Sequence, residues 1–250
     1  MGRIIAVANQ KGGVGKTTTC VNLVCALAQG GSRVLLCDMD PQGNSTSGMG
    51  VSKSGKGVYD LLINGAEPKS VIQRTAWGDV IPSGKELSGA GVELVGRESR
   101  EFILKQALSG LKADYDYIFI DCPPSLELLT LNSLCAADSV LVPVQCEYYA
   151  LEGLSDLLNT IRLIKRSLNP ALEIEGVLLT MFVGRNNLSI QVAEEVKKYF
   201  KNKVYRTVIP RNVRLSEAPS HGKPCVVYDR SSRGAVAYTE LAKEFKKRAK

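Results

Sequence analysis

Short apolar runs alternate with longer stretches of helical spacing along most of this chain. Residues 3–8 form an apolar β-type run, and Val21, Leu23, Val24, Ala26 and Leu27 then recur at helical spacing between Thr18 and Gln29. Further runs at 33–38, 117–121, 139–144, 176–180 and 204–209 read as buried strands. Helical patterns fall between them at 99–111, 126–137, 151–166, 190–200 and 235–248. This alternation predicts an α/β fold, a doubly wound and mostly parallel sheet with helices on both faces. Residues 42–58, rich in Gly, Ser and Asn, read as the one long loop. With no internal repeat, linker or low-complexity tail, residues 1–250 are expected to form a single domain.

Between the first strand and the first helix lies Asn9-Gln10-Lys11-Gly12-Gly13-Val14-Gly15-Lys16-Thr17-Thr18. A strand, a glycine-rich turn and a helix start are the setting in which such a motif holds phosphate. The glycines let successive N–H groups converge on phosphate oxygens, and the helix dipole adds to the attraction. The nucleotide-binding residues predicted from this loop are Lys11, Gly12, Gly13, Val14, Gly15, Lys16, Thr17 and Thr18. Lys16 is expected at the β/γ-phosphates of ATP and the Thr17 hydroxyl on Mg²⁺. The loop departs from the common G-x-x-x-x-G-K-T pattern, because Gln10 stands at the first glycine position and a second lysine, Lys11, opens the loop. This is the deviant Walker A form of the P-loop NTPases. Lys11 is expected to act in hydrolysis by offsetting negative charge on the phosphoryl oxygens, as an arginine finger does.

Two apolar strands end in carboxylates, which completes a phosphate site. Residues 117–121 end at Asp121, before Cys122-Pro123-Pro124, in the Walker B arrangement, where ligands of parallel sheets bind. Residues 33–38 run into Asp38-Met39-Asp40-Pro41-Gln42-Gly43-Asn44. Asp38 and Asp121 are expected to support the metal through water. Asp40 is expected to orient the attacking water, since phosphoryl transfer needs positioning more than a strong base.

Composition narrows the setting. At 44% hydrophobic content the chain can bury a full core, yet no apolar run approaches the roughly 20 residues of a membrane span. A soluble, cytoplasmic protein is expected. The seven cysteines have no C-x-x-C spacing and read as small buried hydrophobes. The lone His221 reads as structural or surface. Charge is uneven: residues 1–180 hold 16 Lys/Arg against 19 Asp/Glu, and residues 181–250 hold 16 against 6. A basic face of that kind meets a polyanion, with nucleic acid the first candidate and an anionic membrane the second.

Taken together, the loop, the Asp38–Asn44 segment, Asp121-Cys-Pro-Pro-Ser125, the stretch from Pro143 to Gly153 and that from Ile209 to Ser220 resemble the ParA/Soj family of chromosome- and plasmid-partitioning ATPases. The resemblance runs from Arg3 to about Lys243. It implies a homodimer that sandwiches two ATP molecules, with Lys11 reaching the phosphates of the second subunit. It also implies nucleoid-associated, non-specific binding of double-stranded DNA, released when a ParB/Spo0J-type centromere-binding partner stimulates an otherwise weak hydrolysis. By the same resemblance Pro210 and Asn212 pack around adenine, Glu147 touches the ribose or the dimer face, and Arg185 and Arg214 contact DNA; Lys243, Lys246, Lys247 and Arg248, on the final helical pattern, are expected to extend the patch by their charge. Both arginines are expected in turns.

Three rivals share parts of this pattern. A MinD-like membrane-cycling ATPase ends in an amphipathic helix, but the tail from Glu240 to Lys250 has few bulky apolar residues to bury in lipid, so no stable membrane association is expected. An electron-transfer ATPase of the nitrogenase iron-protein type needs cluster-bridging cysteines, and those here sit in other motifs. A nucleotide-gated DNA-binding switch with negligible turnover shares every residue and differs only in rate.

Overall fold

The computed structural model describes residues 2–147 and 150–248, and of residues 150–153 the backbone alone. Six strands form one sheet: β1 (Arg3–Val7), β2 (Val34–Asp38), β3 (Asp79–Ile81), β4 (Tyr117–Asp121), β5 (Ser139–Gln145) and β6 (Glu173–Thr180). They pair in the order β3-β2-β4-β1-β5-β6, every pairing parallel. The longer helices are α1 (Lys16–Gln29), α2 (Leu128–Ala136), α3 (Ala150–Ser167), α4 (Asn187–Phe200) and α5 (Arg233–Arg248). Among the described residues no helix is long and apolar enough to cross a membrane.

The strands are apolar on both sides because both sides are covered. Ile4, Ala6, Leu35, Cys37, Ile118 and Ile120 join one core with Leu134, Leu157, Ile161 and Val196 of α2, α3 and α4. Their alternating neighbours Ile5, Val7, Leu36, Phe119 and Leu141 join a second core with Leu23 and Leu27 of α1 and Tyr238, Leu241 and Phe245 of α5. Phe119 is fully buried and packs on Phe245 at 5.6 Å between ring centroids, a pairing that adds about 0.5–1.5 kcal/mol to the burial of the ring. The doubly wound parallel fold expected from the alternation is the one observed.

This topology sets where a ligand can bind. The helix after β1 covers one face and the helix after β4 covers the other, although β1 and β4 are neighbours with Val7 opposite Asp121. The chain therefore leaves the adjacent carboxyl ends of these strands in opposite directions and opens a crevice there.

Two local expectations need correction, and one strand was not expected. Residues 204–209 make no continuous ladder strand: Val204 bridges Val177 and Pro210 bridges Phe182, Tyr205 and Ile209 donate to the Val177 and Leu179 carbonyls at 2.9 Å, and Arg206 and Thr207 between them leave the edge. Glu244 of α5 takes the Arg206 and Thr207 N–H groups at 2.8 and 2.9 Å, which diverts them from the edge of β6. Residues 42–58 are not wholly loop, because Asn44–Gly48 is a short helix. β3 escaped the apolar pattern, being only three residues long and ended by Pro82. Of the motif from Pro143 to Gly153, Tyr148 and Tyr149 lie outside the described residues, as does Lys250 of the basic tail.

Candidate active site

The phosphate loop sits at the crevice. Asn9, 6% exposed, donates from Nδ2 to the Pro143 carbonyl at 2.7 Å, and its Oδ1 accepts from Lys11 N at 3.0 Å. The side chain thus ties the loop entrance to β5. Gly13 and Gly15 have φ of +75° and +92°, and a Cβ at either would meet no close neighbour, so glycine is required there by backbone conformation and not by space. At the end of β6, Thr180 donates its hydroxyl to the Val14 carbonyl at 2.8 Å and fixes the crown of the loop. Gly15 is the N-cap of α1 and offers no side-chain cap, so the first N–H groups of the helix are left for an anion.

The two lysines behave differently. Lys16 is 7% exposed and folds back to donate to the Lys11 carbonyl at 3.2 Å. Burial pushes its ammonium below the ordinary lysine value, and the Asp121 and Asp40 carboxylates oppose that. Lys11 is a third exposed, and its Nζ lies 3.7 Å from Glu147 of the same chain.

Asp38 and Asp121, fully buried, stand opposite each other in register on β2 and β4. Burial, and for Asp38 the facing Asp121, pushes both carboxyls above the ordinary aspartate value. Asp38 spends both oxygens inside the fold, accepting from Asp40 N at 3.2 Å, Thr46 N at 2.8 Å and the Thr46 hydroxyl at 2.7 Å. Asp121 accepts from the Ser45 hydroxyl through Oδ2, while its buried Oδ1 has no hydrogen-bond partner. That orphaned oxygen, on a carboxylate that the Thr17 hydroxyl and the Lys16 charge help to keep ionised, fits the all-oxygen donor set that a hard divalent cation takes. Asp40 is more exposed. Its Oδ1 accepts from Gln42 N at 2.9 Å, and its carbonyl accepts from Gly43 N at 2.9 Å and the Ser83 hydroxyl at 2.7 Å.

Beside the loop, a cavity of about 320 Å³ is lined by Gly15, Thr18, Thr180, Met181, Pro210 and Asn212, among others. Asn212 caps the helix Val213–Glu217, its Oδ1 accepting from Arg214 N at 3.0 Å. A larger cavity of about 600 Å³ opens at the other ends of β2 and β3. Most of its charges are spent within the wall, with Lys69 on Asp114 at 2.9 Å and Arg33 on Asp116 at 3.0 Å. The smaller cavity shares Gly15 and Thr18 with the loop and so adjoins the phosphate site, whose lysines and carboxylates lie outside its lining.

The fold therefore gathers Lys11, Lys16, Thr17, Asp38, Asp40, Asp121, Pro210 and Asn212 around one crevice. Arg185 lies exposed in a turn, as expected. Arg214 is exposed too, but on the helix Val213–Glu217 and not in a turn, and it pairs with Glu217 at 2.7 Å and Asp229 at 3.3 Å. Sequence reasoning gave no role to Asn9, Ser45, Thr46, Ser83 or Thr180. The hydroxyl run Asn44-Ser-Thr-Ser47 directly after Gly43 was the one readable signal, since serines and threonines there can turn back to strand-end carboxylates.

Residues 2–174 match the AAA domain family. The sporulation initiation inhibitor protein Soj of Bacillus subtilis is 63% identical over 248 residues, 98% of each chain. The chain belongs to the ParA/Soj family. The chromosome partitioning protein ParA of Myxococcus xanthus is 54% identical over 252 residues, covering 99% of this chain and 89% of its own. Among solved structures, cobyrinic acid a,c-diamide synthase from Mycobacterium smegmatis, with bound ADP and magnesium, has a TM-score of 0.85 at 39% identity over 97% of this chain and 93% of its own. The septum site-determining protein MinD of Pyrococcus horikoshii, complexed with Mg-ADP, has a TM-score of 0.84 at 28% identity over 100% and 98%. As a ParA/Soj protein the chain is a P-loop ATPase of the partitioning type.

Proposed function

We propose that the ATP-bound form is a sandwich homodimer that binds double-stranded DNA without sequence preference, and that hydrolysis, stimulated by a ParB/Spo0J-type partner, releases it and so drives chromosome or plasmid segregation. On this reading the protein works in the cytoplasm, on the nucleoid. Lys11 is the observation that carries it. Its ammonium plays no part in holding its own loop, and its single described tie, the 3.7 Å pair with half-exposed Glu147, is worth at most about 1 kcal/mol. A polyphosphate presented by a second subunit would displace that pair readily, whereas Lys16 is committed to its own loop.

Each residue then has a task. Lys16 turns from the Lys11 carbonyl to the β/γ-phosphates, and the N–H groups of residues 12–18 receive the phosphate oxygens. Thr17 would hold Mg²⁺ directly and Asp121 would hold it through water, with Asp38, whose oxygens already accept from Asp40 and Thr46, supporting the water shell from behind. When bound, the ion neutralises charge developing on the phosphoryl oxygens. Asp40 orients the attacking water, and Lys11 adds its charge from across the interface. Pro210 and Asn212 enclose the base. Arg185 and Arg214, with the basic last helix, face DNA.

DNA binding measured with ATP, with ADP and without nucleotide tests the proposal. Binding with ATP alone is expected, together with faster phosphate release when DNA and a ParB-type partner are both added. Equal binding in all three states, or ATP-dependent binding to anionic vesicles in place of DNA, would overturn it. Phosphate release that stays negligible with DNA and partner present would leave a binding switch without turnover.

A further inference from the structure

Asp38 and Asp40, assigned above to the metal and to the attacking water, are joined by a second route besides the chain between them. Thr46 donates its hydroxyl to Asp38 Oδ2 at 2.7 Å and accepts at the same oxygen from Ser83 N at 3.0 Å. Ser83 in turn donates its hydroxyl to the Asp40 carbonyl at 2.7 Å. The Asp40 N–H returns to Asp38 Oδ1 at 3.2 Å and closes the ring. Thr46 is fully buried and Ser83 is 2% exposed, so water does not substitute for these bonds.

The carbonyl side of Ser83 is equally close to the segment. A Cβ on Gly43 would lie 2.9 Å from the Ser83 oxygen, and Gly43 itself has φ +61°. Ser83 therefore meets the 40–46 segment at three points: Oγ against Asp40, N against Thr46, O against Gly43. It is held from behind as well, since the Pro82 carbonyl before it accepts from Val58 N at 2.9 Å. No other donor outside the turn hydrogen-bonds to the Asp40 carbonyl among the described residues.

We propose that Ser83 is a positioning residue for hydrolysis, setting the Asp40 carboxylate relative to Asp38 through Thr46 and the Asp40 main chain. The proposal rests on the reading of Asp40 given above. Its physical basis is that phosphoryl transfer depends on positioning, and that a displacement of about 1 Å at the reacting centre costs on the order of 100-fold in rate. Ser83 touches neither the phosphate loop nor the base cavity, so its effect falls on turnover and not on nucleotide affinity.

The test is a set of full-length variants, Ser83→Ala, Thr46→Val, the double variant, Thr46→Ser and Asp40→Ala. Each is measured for single-turnover phosphate release, for the Kd of a non-hydrolysable ATP analogue with magnesium, and for the Tm of the nucleotide-free protein. Ser83→Ala is expected to slow release by tenfold or more, with the analogue Kd within about threefold and Tm within about 4 °C of wild type. Thr46→Val slows release similarly, Thr46→Ser recovers most of that loss, and the double variant is no slower than the slower single one, as one shared relay requires. Release by Ser83→Ala within twofold of wild type, a parallel loss of analogue binding, or multiplying effects in the double variant would each overturn the proposal. A silent Asp40→Ala removes the reading of Asp40 and this proposal together, whereas an inactive Asp40→Ala beside a normal Ser83→Ala removes this proposal alone.

Discussion

Asp38 and Asp121 end neighbouring strands in register, and the fold treats them unequally: one is fully hydrogen-bonded and the other keeps a bare buried oxygen. Two carboxylates side by side in a dry site repel each other, and burial disfavours the charge of both. Donors placed on Asp38 relieve that strain locally and anchor the 44–48 helix. Asp121 Oδ1 has no such donor, and the Ser45 and Thr17 hydroxyls and the Lys16 charge offset only part of the burial of this carboxyl, so on the proposed reading a cation or its bound water supplies the rest.

The asymmetry predicts opposite outcomes for isosteric changes. Asp121→Asn removes the repulsion while keeping an acceptor for Ser45, so the nucleotide-free protein should hold or gain up to about 1 kcal/mol of stability. Its stabilisation by added Mg-ATP should largely vanish. Asp38→Asn turns an amide against the Thr46 donors and should cost about 1–3 kcal/mol without nucleotide. Thermal unfolding of both variants, with and without Mg-ATP, checks the pair. An Asp121→Asn protein destabilised as much as Asp38→Asn would contradict it.

Lys11→Ala should leave the nucleotide affinity of the monomer within about threefold of wild type. Only the weak pair with Glu147 is removed within the subunit, and Lys16 still serves the bound phosphates. ATP-dependent dimerisation and hydrolysis should both fail. Light scattering of the variant with ATP and with ADP decides this, and a normal ATP-induced dimer would remove the shared-site reading.

Where local pattern and tertiary need agree, the sequence was readable. The strands ending at Asp38 and Asp121 and the helix after Lys16 stand where periodicity and the loop motif put them, because both faces of the sheet demand continuous apolar runs. The glycine- and serine-rich segment after Asp40 has little helical propensity of its own, so its short helix exists by virtue of the Asp38–Thr46 and Asp121–Ser45 bonds, which no local window contains. Residues 204–209 carry a strand-like composition, but Glu244, nearly forty residues on, claims their N–H groups. Ser83 was invisible for the same reason: its partners at 40 and 46 are distant in sequence.

Glu244 gives a pH-dependent prediction. Partial burial works to raise its carboxyl, but the Arg206 and Thr207 donors, with the Arg248 guanidinium, outweigh that and hold it below the ordinary glutamate value. A depressed carboxyl contributes stability above its unfolded pKa and loses it as pH falls through the folded one. Glu244→Gln should therefore destabilise by about 1–2 kcal/mol at neutral pH. The gap from wild type should close as unfolding is measured at pH values below the ordinary glutamate range. Because Glu244 holds the chain leading to Ile209 and Pro210, nucleotide affinity should also weaken several-fold. A gap that stays constant down to about pH 3 would show that the carboxylate charge is not what matters.

The basic third of the chain supplies the last prediction, and the structure separates two arginines that the sequence treated alike. Arg185 is exposed and makes no ion pair among the described residues, so its full charge is available to a phosphate. Arg214 is held by Glu217 and Asp229 and must loosen those solvent-screened pairs before it can engage DNA. Arg185→Ala should therefore weaken DNA binding by the ATP-loaded protein more than Arg214→Ala does. Each change strikes both subunits of a dimer, so the slope of log K against log salt should fall by about 2 for Arg185→Ala, at roughly 0.9 for each phosphate that is no longer neutralised. ATP binding should be unaffected by Arg185→Ala, which lies outside the loop and the base cavity. Titrations of unrelated duplex sequences at several salt concentrations give both numbers. A double variant that binds DNA at physiological salt as wild type does would move the interface to the lysines of α5, and a larger effect of Arg214→Ala would mean that its pairing orients the arginine toward DNA and does not withhold it.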